Sequence, residues 1–220
     1  MTIDRNITPI QPLVELIVEE QKENMKVAEI GVWQGETSVA YAPTILQNKG
    51  ELILVDWFYG NMGVKGTGAH CWQPDNHNLI YENLKCNLEN IGCGGITTIL
   101  KGDSVDMSKN ISDESLDICF LDAGHNYPSV KRDIKAYLPK VKKGGILCGH
   151  DCQDIYLANS FTPEQLAGDA CDFAGKDGIF RCTHPGVIQA VYDNFGYNVE
   201  IRPDITRPIP IWIYRKKLKT

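Results

Sequence analysis

Residues Lys26-Val-Ala-Glu29-Ile-Gly31-Val-Trp-Gln-Gly35-Glu-Thr37 form the stretch that decides the fold. Its first part is a short apolar run that ends in glycine, which predicts a buried strand over 26–31. The residues after the second glycine predict a helix over 37–46, and Asn48-Lys49-Gly50 marks its end. A buried strand, a glycine turn and a helix in this order are typical of a parallel α/β sheet.

The same alternation extends to both sides of this stretch. Apolar runs with little polar alternation are separated by helical stretches, which indicates a parallel sheet covered on both faces. The pattern predicts further strands over 51–56, 96–100, 116–122 and 145–149, and helices over 12–22, 78–91, 129–138 and 187–195. The last two apolar runs, 197–201 and 209–214, have a short connection and predict an antiparallel hairpin.

We therefore expect one α/β domain over residues 1–220. Its architecture should be a Rossmann-like, doubly wound, seven-stranded sheet that is mostly parallel and ends in an antiparallel hairpin. Two segments do not fit the alternation, 57–77 and 152–181, and long loops in a compact domain are usually functional. We expect them to be lid or substrate loops. Surface loops anchored by a few aromatic side chains would show the same sequence pattern. The aromatic and histidine residues concerned are Trp57, Tyr59, His70, Trp72, His77, Phe161, Phe173 and Phe180.

Composition excludes several classes of protein. A hydrophobic content of 43% and a charged content of 23% are ordinary for a globular protein. The net charge of −6 argues against a nucleic acid as partner. No run approaches the ~18 apolar residues that span a bilayer, and the N-terminal residues do not resemble a secretory signal. The eight cysteines form no C-x-x-C pair, so a reducing, cytoplasmic setting is expected.

The glycine turn is a candidate cofactor loop. Ligands of parallel sheets bind outside the carboxyl ends of the strands, and Gly31 and Gly35 let the backbone approach a ligand there. Asp56 ends the next strand, where an acidic residue can bind a pair of ribose hydroxyls. The spacing is G-x-x-x-G and not the dinucleotide fingerprint G-x-G-x-x-G. The acidic Glu29 would repel a pyrophosphate, so a cofactor with an ammonium group fits better.

These residues resemble a known family. The segment 29–37, together with Asp56 and the turn Gly102-Asp103-Ser104, is similar to class I S-adenosylmethionine-dependent methyltransferases. Within that class, Phe120-Leu-Asp-Ala-Gly-His125-Asn-Tyr127 and Lys143-Gly-Gly-Ile-Leu-Cys-Gly-His150-Asp151 resemble the small-molecule O-methyltransferase branch. That branch includes the catechol-type, macrocin-type and methyltransferase 24-like enzymes. The likeness extends from about residue 26 to residue 151.

The resemblance implies S-adenosylmethionine as the cofactor and assigns a role to each matching residue. Glu29, Gly31 and Gly35 would face the methionine moiety, and Thr37 its carboxylate. Asp56 would bind the ribose hydroxyls. The remaining implied cofactor contacts are Asp103 and Ser104, which would border the adenine, together with Trp57 and Asp122.

Four polar residues follow two successive predicted strands: Asp122, His125, His150 and Asp151. The resemblance implies a divalent metal held by Asp122, His150 and Asp151. Catechol-type enzymes bind magnesium with oxygen ligands here, whereas histidine suits zinc, iron, nickel or manganese, so the identity of the ion stays open. His125 stands where those enzymes place a lysine base, and with Asp122 it forms the predicted catalytic pair. Each residue could instead have a purely structural role, such as capping a turn or forming part of the core as a buried histidine.

The sequence therefore predicts metal-assisted methyl transfer from S-adenosylmethionine to a hydroxyl group of a small molecule. Sugar hydroxyls, phenols and natural-product alcohols are all candidate acceptors, and the terminal hairpin could support a homo-oligomer. Three alternatives stay open. They are a nicotinamide-dependent oxidoreductase, a metal-dependent hydrolase that uses the Asp and His residues, and a binding module that keeps the pocket without catalysis.

Overall fold

The computed structural model describes residues 9–58, 77–168, 172–174, 180–206 and 209–218. Helices and strands alternate along the chain. The helices are α1 (Gln11–Glu19), α2 (Glu36–Gln47), α3 (His77–Asn90), α4 (Ser104–Ser108), α5 (Tyr127–Tyr137), α6 (Pro163–Ala167) and α7 (Pro185–Phe195). The strands are β1 (Lys26–Ile30), β2 (Glu51–Asp56), β3 (Thr97–Lys101), β4 (Leu116–Leu121), β5 (Val141–Gly149), β6 (Asp172–Ala174), β7 (Phe180–Cys182), β8 (Glu200–Arg202) and β9 (Ile211–Arg215).

Seven strands form one sheet in the order β3-β2-β1-β4-β5-β9-β8. Strands β1 to β5 are parallel to one another, and β9 is antiparallel to both β5 and β8. The predicted mostly parallel, seven-stranded sheet with a terminal hairpin is thus confirmed. In register, Ile30 lies beside Val55 on one side and Leu121 on the other. The carboxyl ends of β1, β2 and β4 therefore meet at one edge.

The sheet is covered by apolar side chains on both faces, as a doubly wound sheet requires. On one face Leu13, Tyr41 and Leu84 of α1, α2 and α3 pack in a buried core. On the other face Ile134, Val191 and Trp212 belong to a second buried core that includes α5, α7 and β9. This two-sided burial explains why the strands read as continuous apolar runs.

The later predicted loop is more regular than the sequence suggested. Between 152 and 181 the structure has a short 3₁₀ turn, helix α6 and strands β6 and β7, which pair as a small antiparallel hairpin. Helix α6 begins with a capping box of Thr162 and Gln165, a local signal that was present in the sequence. Such short elements lack enough residues for a hydrophobic period, so pattern reasoning missed them, as it missed α4.

Several predicted features lie outside the described residues. Of the loop 57–77, the structure describes only its two ends, so Tyr59, His70 and Trp72 are outside it, and so is the side chain of His77. The same holds for the side chains of Phe173 and Phe180. Phe161 packs against the second core. Among the described helices, none has the length and apolar character of a membrane span.

Candidate active site

The glycine loop between β1 and α2 contacts the end of β4. Gly31 has a φ of +87°, and its N–H donates to the carbonyl of Val55 at 2.9 Å. A side chain at this position would collide with the backbone of Asp122 and Ala123. Gly35 is the N-cap of α2 and packs against Leu84. The loop therefore needs glycine for its conformation and for its close approach to β4.

Asp56 connects this loop to the end of β2. Its Oδ2 accepts hydrogen bonds from the backbone N–H groups of Val32 at 2.8 Å and Trp33 at 3.0 Å. Its Oδ1 accepts a third from the N–H of Phe58 at 2.6 Å. Trp57, the next residue, is 38% exposed at the same edge. The carboxylate thus shapes the loop at this edge of the sheet.

Glu29 is buried on the α2 side of the sheet. Its Oε2 accepts hydrogen bonds from the hydroxyls of Ser38 at 2.6 Å and Tyr41 at 2.5 Å. Burial raises the pKa of Glu29 to about 8, against the lowering effect of these two hydrogen bonds. Neither hydroxyl was singled out from the sequence, although both lie in α2 on the face that meets β1. Nearby, the hydroxyl of Thr37 accepts from the N–H of Ile10 at 3.4 Å.

The predicted adenine-side residues begin helix α4. Asp103 is its N-cap and also binds Arg132 at 2.7 Å. Burial alone would raise the pKa of Asp103, but hydrogen bonds from Arg132 and the helix N–H groups lower it. The Ser104 hydroxyl donates to Asp133 at 2.5 Å. Burial raises the pKa of Asp133 to about 6. These polar contacts tie the end of β3 to α5.

The structure brings the four predicted polar residues of β4 and β5 together. His125 Nε2 lies 2.9 Å from Asp151 Oδ2 and 3.7 Å from Asp122 Oδ1. His150 Nδ1 lies 3.2 Å from Asp151 Oδ1 and 3.7 Å from Asp122 Oδ1. Asp151 has a φ of +67°, a conformation that costs a non-glycine residue about 1–2 kcal/mol. The cluster is therefore held in place at some expense of backbone energy.

A fifth residue, His184, joins this cluster and was missed in the sequence. It is the N-cap residue of α7, and its Nδ1 lies 3.4 Å from Asp151 Oδ1. Its ring and that of His125 have centroids 4.5 Å apart. His184 lies far along the chain from the other four residues. The neighbouring sequence, Pro185-Gly186, does not indicate a contact with Asp151. The cleft over the cluster is also lined by Val130, Asp133, Val187 and Trp212.

Opposite charges dominate the electrostatics of the cluster. Burial alone would lower the pKa of His150, but Asp151 and Asp122 raise it to about 9. The same competition raises the pKa of His125 well above its ordinary value. For Asp122 and Asp151, burial would raise the pKa, but the neighbouring histidines hold both well below the ordinary value. Burial lowers the pKa of His184 below its ordinary value, in contrast to the other two histidines.

The donor set can be compared with the needs of a metal ion. Asp122, His150 and Asp151 each place one ligand atom within 4.8 Å of the others, and so do His125, Asp151 and His184. Magnesium prefers oxygen ligands in octahedral geometry, whereas imidazole suits manganese, iron, cobalt, nickel or zinc. The residues present therefore fit a divalent transition ion better than magnesium.

The comparisons with known proteins agree with this architecture. The family model described as a methyltransferase domain matches residues 28–152. No curated protein matches the chain. Solved structures match its fold over nearly its whole length, but at identities too low to transfer a function.

Three of these structures illustrate the likeness. A protein described as an O-methyltransferase from Klebsiella pneumoniae has a TM-score of 0.65 at 13% identity, with 98% of this chain and 84% of that chain covered. The O-methyltransferase NovP has a TM-score of 0.59 at 17% identity, with 95% and 78% covered. The O-methyltransferase from Bacillus cereus, in complex with SAH, has a TM-score of 0.58 at 14% identity, with 97% and 84% covered.

Proposed function

The chain belongs to the methyltransferase domain family, and on that premise we propose that it transfers a methyl group from S-adenosylmethionine to a hydroxyl group of a small molecule. One observation carries the proposal. The glycine loop packs directly against the backbone of Asp122, so a cofactor on the loop would lie beside the Asp and His cluster. The O-methyltransferase descriptions of NovP and of the SAH-bound Bacillus cereus protein support the same reaction class.

The proposed cofactor site runs along the carboxyl edge of β1, β2 and β3. The free N–H groups at the start of α2 would face the methionine carboxylate, near Thr37. Asp56 would accept from the ribose hydroxyls, and Asp103 and Ser104 would border the adenine. Asp122 would lie at the sulfonium end, where its negative charge favours a cationic methyl donor. Glu29 would accept a hydrogen bond from the ammonium group, whose positive charge would favour the ionised form of this carboxyl.

The acceptor hydroxyl would enter the cleft over β4 and β5. Val187 and Trp212 supply apolar walls to this cleft, while Asp122 and His125 supply polar groups. We propose that His125 takes the hydroxyl proton as the methyl group is transferred, since an in-line transfer needs chiefly positioning and a local base. A divalent ion held by Asp122, His150 and Asp151 would acidify the acceptor hydroxyl and would offset the carboxylate charge that raises the pKa of His125.

Calorimetry with S-adenosylmethionine, S-adenosylhomocysteine and NAD tests the cofactor. We expect both adenosyl ligands to bind and NAD not to bind. Methyl transfer is then measured with labelled S-adenosylmethionine on a panel of phenols, sugars and aliphatic alcohols. Binding of NAD alone would overturn the proposal. Tight adenosyl binding without transfer to any acceptor would instead support a module that binds the cofactor without catalysis.

Replacing His125 tests its role. His125→Ala should lower the rate of methyl transfer by about 10²–10⁴-fold, the usual contribution of a general base. Because His125 is not placed in the cofactor site, the affinity for S-adenosylmethionine measured by calorimetry should be unchanged. A variant that binds the cofactor normally and retains the full rate would remove His125 from the mechanism.

A further inference from the structure

Asp151 is shared by two three-residue sets of possible metal ligands. One set is Asp122, His150 and Asp151, which the family resemblance already suggested. The other is His125, Asp151 and His184. In the second set His125 Nε2 approaches Asp151 Oδ2 at 2.9 Å, while His184 Nδ1 approaches Asp151 Oδ1 at 3.4 Å. The two carboxylate oxygens thus face different imidazole rings.

We propose that His125, Asp151 and His184 form a second binding site for a divalent ion that prefers imidazole, such as Zn²⁺, and that an ion there inhibits methyl transfer. The binding part stands on the geometry of this set alone. The inhibitory part rests on the proposed function, because it requires His125 to act as the base. An ion on Nε2 occupies the lone pair that would otherwise accept the acceptor's proton.

The spacing of the donor atoms suits a tetrahedral ion. Zinc binds imidazole nitrogen and carboxylate oxygen at about 2.0–2.2 Å, which places neighbouring ligand atoms about 3.3–3.6 Å apart in a tetrahedron. The distance of 3.4 Å from His184 Nδ1 to Asp151 Oδ1 matches this spacing. The distance of 2.9 Å from His125 Nε2 to the other oxygen, Oδ2, is shorter, so the His125 ring would move back slightly to share an ion. The rings of His125 and His184 lie at an interplanar angle of 34°, so they do not stack face to face. Two nitrogens and one carboxylate would leave a fourth position for water.

The surroundings of His184 point in the same direction. Its Nδ1 is buried and makes no hydrogen bond to any residue that the structure describes. The side chain also makes no capping hydrogen bond to helix α7, although it occupies the N-cap position. A buried polar atom without a hydrogen bond costs free energy, and a bound ion would satisfy it. The Nδ1 of His184 therefore has a ligand atom to offer in this cluster.

The two sets should differ in which ions they accept. Magnesium seeks several oxygen ligands, and the second set offers it one carboxylate beside two imidazoles. Zinc and cobalt accept imidazole readily. Zinc and cobalt should therefore inhibit methyl transfer through the second set, whereas magnesium at the same concentration should not.

The experiment measures binding separately from activity. Because the first set also contains a histidine, binding is measured in a His150→Ala background, which removes its nitrogen ligand. Co²⁺ is added without S-adenosylmethionine and followed by its visible absorption, and Zn²⁺ is then used to displace it. Adding His184→Ala should weaken binding of both ions at least about tenfold, since even outer-shell partners of a metal contribute that much.

Val187→Ala is the matched control for this substitution. Val187 lies one turn along α7, lines the same cleft and offers no ligand atom, so its truncation should leave binding unchanged. Thermal unfolding of each variant identifies any that fails to fold. No binding of Zn²⁺ or Co²⁺ by the His150→Ala protein would overturn the site, and so would equal affinity with and without His184.

The inhibitory part is tested in protein that retains His150, with His184→Ala and Val187→Ala as single variants. Zinc should inhibit methyl transfer, and His184→Ala should raise the half-inhibitory concentration at least about tenfold relative to its own zinc-free rate. Val187→Ala should respond to zinc like the original protein. Binding at this site without inhibition would overturn the inhibitory part alone. Absence of methyl transfer with every acceptor would count against the proposed function, while the cobalt titration would still decide the site.

Discussion

The carboxyl group of Glu29 is buried among hydroxyls, and burial raises its pKa to about 8. In the unfolded chain the same group titrates near 4.5. Between these two values the folded state holds a proton that the unfolded state lacks. The free energy of unfolding should therefore fall as pH rises through this range, by up to about 1.4 kcal/mol per pH unit.

Glu29→Gln should remove this pH dependence, because the amide does not titrate. Denaturant unfolding at pH 5.5, 6.5 and 7.5 measures it, and the variant should gain stability relative to the original protein as pH rises. Glu51→Gln removes an exposed carboxyl at the start of β2 and serves as the control for loss of a negative charge. A parallel pH dependence in Glu29→Gln and the original protein would contradict the buried, protonated state of Glu29.

Gly31 and Gly92 separate two costs of adding a side chain. Both have a positive φ, +87° and +74°, but only at Gly31 would the new Cβ meet backbone, whereas at Gly92 no described atom lies within 4 Å. Gly92→Ala should cost about 1–2 kcal/mol, the penalty of the left-handed conformation. Gly31→Ala should cost more and should also abolish binding of S-adenosylmethionine. Equal losses in unfolding free energy would show that the contact with Asp122 is not tight.

At the scale of one element, the start of α5 positions His125. Asn126 is the N-cap, and its side-chain oxygen accepts from the N–H of Ser129 at 3.0 Å. Pro128 follows within the first turn, where the missing N–H is not needed. The sequence pattern predicted this helix from residue 129, two residues late, because the proline and the cap carry no hydrophobic period. The cap therefore decides where the strand-end loop stops and the helix begins.

Asn126→Ala should lower the unfolding free energy by about 1 kcal/mol, the usual cost of losing a cap. Asn126→Ser should restore most of this stability, since serine also caps well. Because His125 is the preceding residue, the alanine variant should lose methyl-transfer rate as well, and the serine variant should regain it. A loss of rate that serine does not restore would indicate a direct role of the Asn126 amide.

At the scale of the whole molecule, Asp117 connects distant parts of the chain at the opposite edge of the sheet. It accepts from the backbone N–H of Lys26 at 2.8 Å and pairs with Lys22 at 2.8 Å and Lys142 at 2.9 Å. Burial alone would raise the pKa of Asp117, but these partners lower it. A lowered pKa stabilises the fold above the unfolded value of 3.8, and the effect is lost as pH falls through the folded value.

Asp117→Asn should reduce the unfolding free energy at pH 7 by an amount on the order of 2 kcal/mol, as for a hydrogen bond to a charged group. The difference from the original protein should start to shrink below about pH 4 and should vanish only as pH falls through the lowered folded pKa, where Asp117 becomes neutral as well. Asp113→Asn removes an exposed partner of Lys140 and should change stability by less than about 1 kcal/mol. Equal effects of the two variants at pH 7 would contradict the role of Asp117.

The alternation of elements could be predicted from the sequence, and so could the family, which the match to residues 28–152 confirms. Apolar runs such as 51–56 and 116–121 must be buried whichever neighbours they meet, and parallel strands place their carboxyl ends at one edge. For the same reason Asp122, His125, His150 and Asp151 could be expected to converge, because each follows one of two successive strands.

Only the tertiary structure decided that His184 joins this cluster and that Glu29 is protonated near neutral pH. The first depends on how α7 packs against α5, which no local period encodes. The second depends on how completely water is excluded from β1 and α2, and the cost of charging a carboxyl is set by that environment. Sequence patterns report local preference and burial, whereas ligand sets and charge states arise from residues that meet only in the folded protein.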